Sequence, residues 1–309
     1  MDIVQRSLKK VIMIHSFSIK KIPFSSIPSS LIDPATLPFF NQFSAQEGYL
    51  VACAAFIENE MIGCAVAQVF FINQTAQLYS LFVKEEFRKQ GLGLALFQFL
   101  ENDLKQENKI YAFGFEYEKN DLFTPAIEKI LSYQQWLPPK LYLVRCHFDA
   151  YTFDPPWIHL PTRLPSTFKL FSWQELTLKE KEYIQYKAEQ GQFLPSLSPF
   201  KEEEHVHLGT SVGLRYLDTI IGWCITHSDN LNTIRYNTLY IDHAFLHSGY
   251  GIQILNESIR RHKRLPIPQA IFEANIEEID RSWLRFIKKR LIPLSYRVER
   301  LKWAFNSYV

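Results

Sequence analysis

Apolar residues in this chain gather in short β-branched and aromatic runs, separated by charged or turn-forming residues. Tyr49–Ile57 and Met61–Ile72 are two such runs, and the Glu58-Asn-Glu60 link between them predicts a hairpin. A third run, Leu78–Lys84, reads as a strand with at least one buried face. The pattern then changes. Leu92, Leu96, Phe99 and Leu100 fall at helical spacing, followed by Glu101, Asp103 and Lys105, which predicts an amphipathic helix. Lys109–Glu116 predicts a further strand, Pro125–Leu131 a helix with proline near its first turn, and Leu141–Phe148 a closing strand. Upstream, His15–Ile22 predicts a first strand, and prolines and serines break Pro23–Pro38 into loop or short helices.

Between the third strand and its helix lies Glu85-Glu-Phe-Arg-Lys-Gln90, a charged turn that ends in Gly91-Leu-Gly93. Glycines at a helix entrance let the backbone approach a ligand closely, and the first N–H groups of a helix have no partner within it. With the positive end of the helix dipole behind them, those groups suit an anion. Arg88 adds a forked cation that matches a phosphate. A Walker loop would need Gly-x4-Gly-Lys-Ser/Thr, which is missing. A dinucleotide fingerprint would need Gly-x-Gly-x-x-Gly/Ala directly after a strand, and here the third position is Leu96 and a charged turn intervenes.

The pattern that fits is Arg/Gln-x-x-Gly-x-Gly/Ala, present as Arg88-Lys-Gln-Gly91-Leu-Gly93 between a strand and a helix. It resembles motif A of the GCN5-related N-acetyltransferases (GNAT), whose loop grips the coenzyme A pyrophosphate. The resemblance is best from about residue 50 to 137. It implies acetyl-CoA as co-substrate, held by Arg88, Lys89, Gln90, Gly91, Leu92, Gly93 and Leu94, with Asn120 near the pantetheine. Backbone groups of Leu81, Phe82 and Val83 would pair with the pantetheine arm, and one N–H there would polarise the thioester carbonyl. A bulge splaying this strand from the next is also implied. An amine acceptor is mostly protonated at neutral pH, so a base is useful, and Glu116 and Glu85 are the candidates. The family's acid is a tyrosine in the following helix. Its position falls on Leu131, with Tyr133 two residues on as the candidate.

The second half of the chain echoes the first. Gly249-Tyr-Gly251 follows Gly91-Leu-Gly93 at a fixed distance (249 − 91 = 158). At that distance Leu81-Phe-Val83 meets Leu239-Tyr-Ile241, Phe87 meets Phe245, and Leu96-Phe97 meets Ile254-Leu255. Ile62-Gly63 meets Ile221-Gly222 one residue out of step, Gln269–Glu273 parallels the strand ending at Glu116, and Trp283–Ile287 is a helix in the matching place. Ordered matches of this kind argue for an internal duplication. The expected architecture is α/β (α+β): two tandem GNAT-like domains, each a mixed, mostly antiparallel sheet flanked by helices. Their bounds are 1–153 and 166–309, joined by a proline-rich linker at 154–165. The copies are unequal, because Leu246, His247 and Ser248 stand where Arg88, Lys89 and Gln90 do. The second is expected to be degenerate.

Composition narrows the function. The 309 residues are 47% hydrophobic and 15% aromatic, as in a globular chain, and a net charge of +2 argues for neither a nucleic-acid nor a membrane partner. Cys53, Cys64, Cys146 and Cys224 lie in apolar runs without paired spacing and read as buried thiols in a reducing compartment. Val11–Ile14 is too short for a signal-peptide core, so the expected location is cytoplasmic, as a monomer or homodimer. His205-Val-His207 and His243-x3-His247 have metal-like spacing but no cysteine cluster, and no metal is expected. Arg260–Arg264 answers a helix dipole. Two rivals remain open: a GNAT-fold binding or regulatory protein without turnover, and transfer of a longer acyl or aminoacyl group. The acceptor, small molecule or protein, is not specified.

Overall fold

The computed structural model describes residues 17–32, 36–159, 164–246, 248–279 and 281–308. In chain order the first half contains β1 (Ser18–Ile22), α1 (Leu37–Gln42), β2 (Gly48–Ile57), β3 (Glu60–Phe70), β4 (Thr75–Val83), α2 (Leu92–Gln106), β5 (Ala112–Glu118), α3 (Thr124–Tyr133) and β6 (Lys140–Asp149). The second contains β7 (Phe168–Ser172), α4 (Leu178–Glu189), β8 (Val212–Tyr216), β9 (Thr219–Asn230), β10 (Thr233–Ile241), α5 (Tyr250–His262), β11 (Gln269–Asn275), α6 (Arg281–Phe286) and β12 (Arg297–Ser307). The expected elements are present, with shifted ends. The Lys109–Glu116 strand starts only at Ala112, because Lys109 is left-handed at φ 50° and turns the chain. His15, Ser16 and the Val11–Ile14 run lie outside the described residues.

The chain divides into two compact units, residues up to 141 together with 301 onward, and residues 142–300. The division does not fall at the proline-rich segment 154–165. It falls where strands change hands. Leu143–Asp149 of β6 pair antiparallel with β11 in the second unit, whereas β5 of the first unit is flanked by Leu301–Ser307 of β12. Leu141–Phe148 therefore does not close the first unit. Its alternating apolar positions, Val144, Cys146 and Phe148, are buried in the second unit's core instead.

In the first unit β1 to β4 form an antiparallel meander, and β5 joins β4 in parallel after the α2 crossover. Leu92, Leu96, Phe97, Leu100 and Leu104 bury the inner stripe of α2 against one face of β2–β5. Small residues on the other face, Ala52, Ala54 and Cys64, lie under Ile27, Leu31 and Ile32. The second unit repeats this plan: β7 to β10 are antiparallel, α5 crosses over, and β11 joins β10 in parallel. Gly63 faces Val83 in one hairpin as Gly222 faces Ile241 in the other.

Both units carry the same irregularity. Between Leu78 and Ser80 the register of β4 against β3 slips by one, so Tyr79 is an extra, bulged residue. In β10 the slip lies between Tyr236 and Thr238, making Asn237 the bulge, at the same 158-residue distance (237 − 79 = 158). Parallel pairing of β4 with β5 ends at Leu78↔Phe115, and that of β10 with β11 at Tyr236↔Phe272. A bulge bends its strand and raises the local twist, so the two parallel strands part company just beyond it.

Candidate functional site

The turn expected to hold a diphosphate sits at the end of β4 in the first unit. Glu85–Phe87 make a single 3-10 turn, Lys89 is left-handed at φ 61°, and Gly91 is left-handed at φ 83° as the N-cap of α2. Gly91 has no side-chain cap, and no heavy atom would lie within 4 Å of a Cβ built there. The first intrahelical bond at this end runs from Ala95 N–H to the Gly91 carbonyl. The amides of Leu92, Gly93 and Leu94 thus lie ahead of the helical ladder, as helix geometry requires, at an uncapped end with no acidic residue in the first turn. Ile130 of α3 borders this end, 3.6 Å from where a Cβ on Gly93 would sit.

Arg88 is placed beside these amides and is partly committed. Its Nε donates to the Val83 carbonyl at 2.8 Å, and its guanidinium carbon lies 4.9 Å from the Phe123 ring centroid and 5.8 Å from that of Phe82. Among the described residues it has no acidic partner, whereas Lys84 is ion-paired with Glu60. Phe123 was not marked by any sequence motif, yet it and Val83 fix the arginine. Gln90 reaches back to the Glu86 carbonyl at 3.2 Å, and Lys89 is exposed.

Leu81, Phe82 and Val83 form the end of β4 beyond the bulge, where pairing with β5 has stopped. Across that opening Glu116 is the next residue of β5 after Phe115, half-buried. Tyr79 lies opposite. Its ring stacks on Phe39 at 3.6 Å, and burial pushes its phenol up to about 12, with the Glu116 and Glu47 carboxylates adding to the shift. The structure thus brings Glu116 to the place where β4 and β5 separate. Glu85 is exposed in the 3-10 turn. Asn120 lies exposed in the turn after β5 and does not cap α3, whose N-cap is Phe123. Tyr133 is the last residue of α3, 63% exposed, with its ring 5.7 Å from Lys129 Nζ, and no interaction among the described residues draws it to the strand opening. Leu131 is buried in the core.

The second unit reproduces the backbone without the charges. Glycine 249 caps α5 at φ 79° without a side-chain bond, after a 3-10 turn at His243–Phe245. Leu246 replaces the arginine, and His247 lies outside the described residues. Asp242, at the position of Lys84, is ion-paired with the buried Lys187 and accepts from the Tyr240 hydroxyl. Glu273, next after Phe272 as Glu116 is after Phe115, is clasped by Arg145 and lies 3.6 Å from Arg235 Nη1. Arg235 also reaches Glu202 at 2.9 Å and Asn237, the bulge residue, at 3.1 Å. An ionic ladder therefore spans the opening here.

Histidines 205 and 207 turn to separate partners, Glu204 and Thr210. No group of three His, Cys, Asp or Glu that could hold a metal is found among the described residues. All four cysteines are buried as free thiols, and burial pushes Cys53, Cys64 and Cys224 up to about 12. No helix among the described residues is long and apolar enough to cross a membrane.

Comparison with known proteins agrees with this geometry. Residues 18–122 match the acetyltransferase (GNAT) family. No curated protein sequence matches the chain significantly. Among solved structures, a tandem GNAT protein from the clavulanic acid biosynthesis pathway superposes with a TM-score of 0.55 at 12% identity, covering 85% of this chain and 84% of its own. A GCN5-related N-acetyltransferase from Sphaerobacter thermophilus gives 0.58 at 14% identity over 88% and 84%. The glucosamine N-acetyltransferase region of a fungal multi-domain β-N-acetylglucosaminidase gives 0.63 at 14% identity, over 94% of this chain and 38% of that one. At such identities the likeness is one of fold. The chain has the tandem GNAT fold, with residues 18–122 matching the GNAT acetyltransferase family.

Proposed function

We propose that the first unit is an acetyl-CoA-dependent N-acetyltransferase that moves an acyl group from coenzyme A to an amine. The observation that carries this reading is the left-handed Gly91 at the uncapped mouth of α2, directly after a strand that has parted from its parallel neighbour. The amides of Leu92, Gly93 and Leu94 would receive the pyrophosphate, with Arg88 and Lys89 supplying positive charge. Leu81, Phe82 and Val83 would hold the pantetheine arm along the open side of β4. The Val83 carbonyl already accepts from Arg88, so the arginine also braces that strand end. Bound there, the coenzyme supplies an activated acyl group.

Glu116 is the base in this reading, taking a proton from the acceptor ammonium directly or through water, so that a neutral nitrogen attacks the thioester carbon. A backbone N–H of the opened strand stabilises the oxygen that gains charge. As the C–N bond formed, the nitrogen would give up its second proton to solvent; the C–S bond would then break, and the leaving thiolate would take a proton from the exposed Tyr133 phenol, which regains one from solvent. Asn120 in the turn before α3 is assigned to the pantetheine. The second unit keeps the scaffold and does not bind coenzyme A strongly. The buried free thiols accord with a reducing, cytoplasmic setting.

The test is coenzyme release from acetyl-CoA with primary amines, run beside coenzyme titrations. Arg88→Ala is expected to lower coenzyme affinity some tenfold to a hundredfold, the loss of one charge-assisted phosphate contact worth about 1.5–3 kcal/mol. Acyl transfer should fall with it at subsaturating acetyl-CoA. Unchanged affinity in this variant would contradict the placement of the cofactor.

A further inference from the structure

The face of the first unit's sheet turned away from α2 carries a feature that the cofactor reading does not use. Phe113, Phe115 and Tyr117 of β5 point into the α2 core, so Gly114 and Glu116 lie on the opposite face. Trp303 of β12 stands directly across from Glu116. The Cζ2–Cη2 edge of its indole reaches Gly114, where the first side-chain carbon of any other residue would come within 2.4 Å of those two atoms. The indole edge occupies the space a side chain at Gly114 would need, and so only glycine fits there. On the other flank of Glu116, across the opening, the bulged Tyr79 stacks on Phe39 with ring planes 8° apart, and Phe40 packs edge-on to the same tyrosine at 6.2 Å. Trp303, Glu116, Tyr79 and Phe39 are all half-buried, so each still meets solvent.

Aromatic rings close to a carboxylate suit an alkylammonium, because aromatic rings and carboxylate both attract a partly desolvated cation. We propose that the acceptor of the first unit is a cationic amine held in a box of Tyr79 and Phe39 on one side, Trp303 on the other and Glu116 between. The final strand of the chain thus supplies one wall of the acceptor site. This rests on the acyltransferase reading above, in which Glu116 then removes the proton that the bound ammonium brings. The negative field around Tyr79 fits a cationic guest, since both neighbouring acids, Glu116 and Glu47, oppose ionisation of its phenol. Among the described residues the second unit shows no such box: the residue opposite Glu273 is Arg145, and the bulge residue is Asn237.

The test compares choline with its neutral carbon isostere, 3,3-dimethylbutan-1-ol, by calorimetry on the full chain, with coenzyme A affinity measured on the same samples. The wild type is expected to prefer choline by at least about tenfold. Trp303→Leu and the isosteric Glu116→Gln are each expected to abolish most of that preference, and Glu116→Gln is expected to leave coenzyme A affinity unchanged. Should Trp303→Leu unfold the unit, Glu116→Gln alone carries the test. Equal binding of the two probes, or a preference that survives Glu116→Gln, overturns the box. Failure of coenzyme A to bind, with the choline preference intact, would instead overturn the acyltransferase reading.

Discussion

The two units share a backbone and differ in what it is equipped to do. Each has a bulge at the same point of its central strand, a parallel neighbour that departs just beyond it, and a left-handed glycine at the mouth of the next helix. In the first unit the glycine is joined by Arg88, and Glu116 lies on the strand between those that carry the bulged Tyr79 and Trp303. In the second the arginine is a leucine, and the opening is bridged by Arg235, Glu273 and Arg145. Such a ladder satisfies its own charges and leaves Glu273 clasped by Arg145. Duplication conserves the shape most readily, because shape is set by packing and glycine conformation, whereas chemistry rests on a few side chains that can be exchanged without unfolding anything.

The largest effect is expected from deleting residues 301–309. This removes the antiparallel partner of β5 from Ala112 to Glu118, takes Ala304 from the first core, and strips the Tyr308 hydroxyl from buried Glu101. An exposed β5 edge invites pairing between molecules. The truncated chain should aggregate or lose the first unit's hydrogen-exchange protection while the second unit's β8–β10 region stays protected. Equal loss in both regions would deny the units their separate cores.

Acid should act on the second unit before the first. His262 accepts from Tyr236 at Nδ1 (3.1 Å) and donates to the Ile267 carbonyl through Nε2 (3.0 Å), an arrangement that suits the neutral ring. Burial pushes it down to about 4, and His207 is also lowered by burial. Because the folded values lie below the unfolded one, the unfolded chain binds these protons first. The stabilisation is full above about pH 6.5 and is lost as pH falls toward 4, on the order of 3 kcal/mol for His262. No histidine lies among the described residues of the first unit, so exchange protection should weaken first in the second. His262→Asn is expected to flatten that pH dependence.

Smaller effects separate stability from binding. Gly91→Ala and Gly249→Ala both place a Cβ on a left-handed residue in open space, so each should cost about 1 kcal/mol of unfolding free energy. Only Gly91→Ala should also weaken coenzyme A, read by titration. Tyr308→Phe removes one hydroxyl from Glu101, which Trp136 still serves at 3.0 Å, and should cost about 1 kcal/mol by denaturant midpoint.

What could be read from the chain alone was mostly local. The β2–β3 hairpin and the strand, charged turn and helix around Gly91 follow from alternation, helical spacing and glycine over a few dozen residues. The echo at Gly249 was legible because glycine cannot be replaced cheaply at a left-handed cap. Strand partnership was not legible. The buried alternation Val144, Cys146, Phe148 suits any neighbouring strand, and nothing in it says that β11 rather than β5 will be the partner. Tyr79 carries no mark of a bulge, and Trp303 reaches the site only because β12 returns to β5 across the length of the chain. Exposure along α3 was not legible either: Leu131 is buried, while Tyr133, two residues on, lies at the exposed end of the helix.

Of the two matching backbones, only the first is proposed to retain a working coenzyme site. Titrating coenzyme A into the intact chain, with native mass spectrometry to count it, tests this most directly. One equivalent per chain is expected, weakened tenfold to a hundredfold by Arg88→Ala and unmoved by Gly249→Ala. Two equivalents, or one that ignores Arg88→Ala and vanishes with Gly249→Ala, would contradict it.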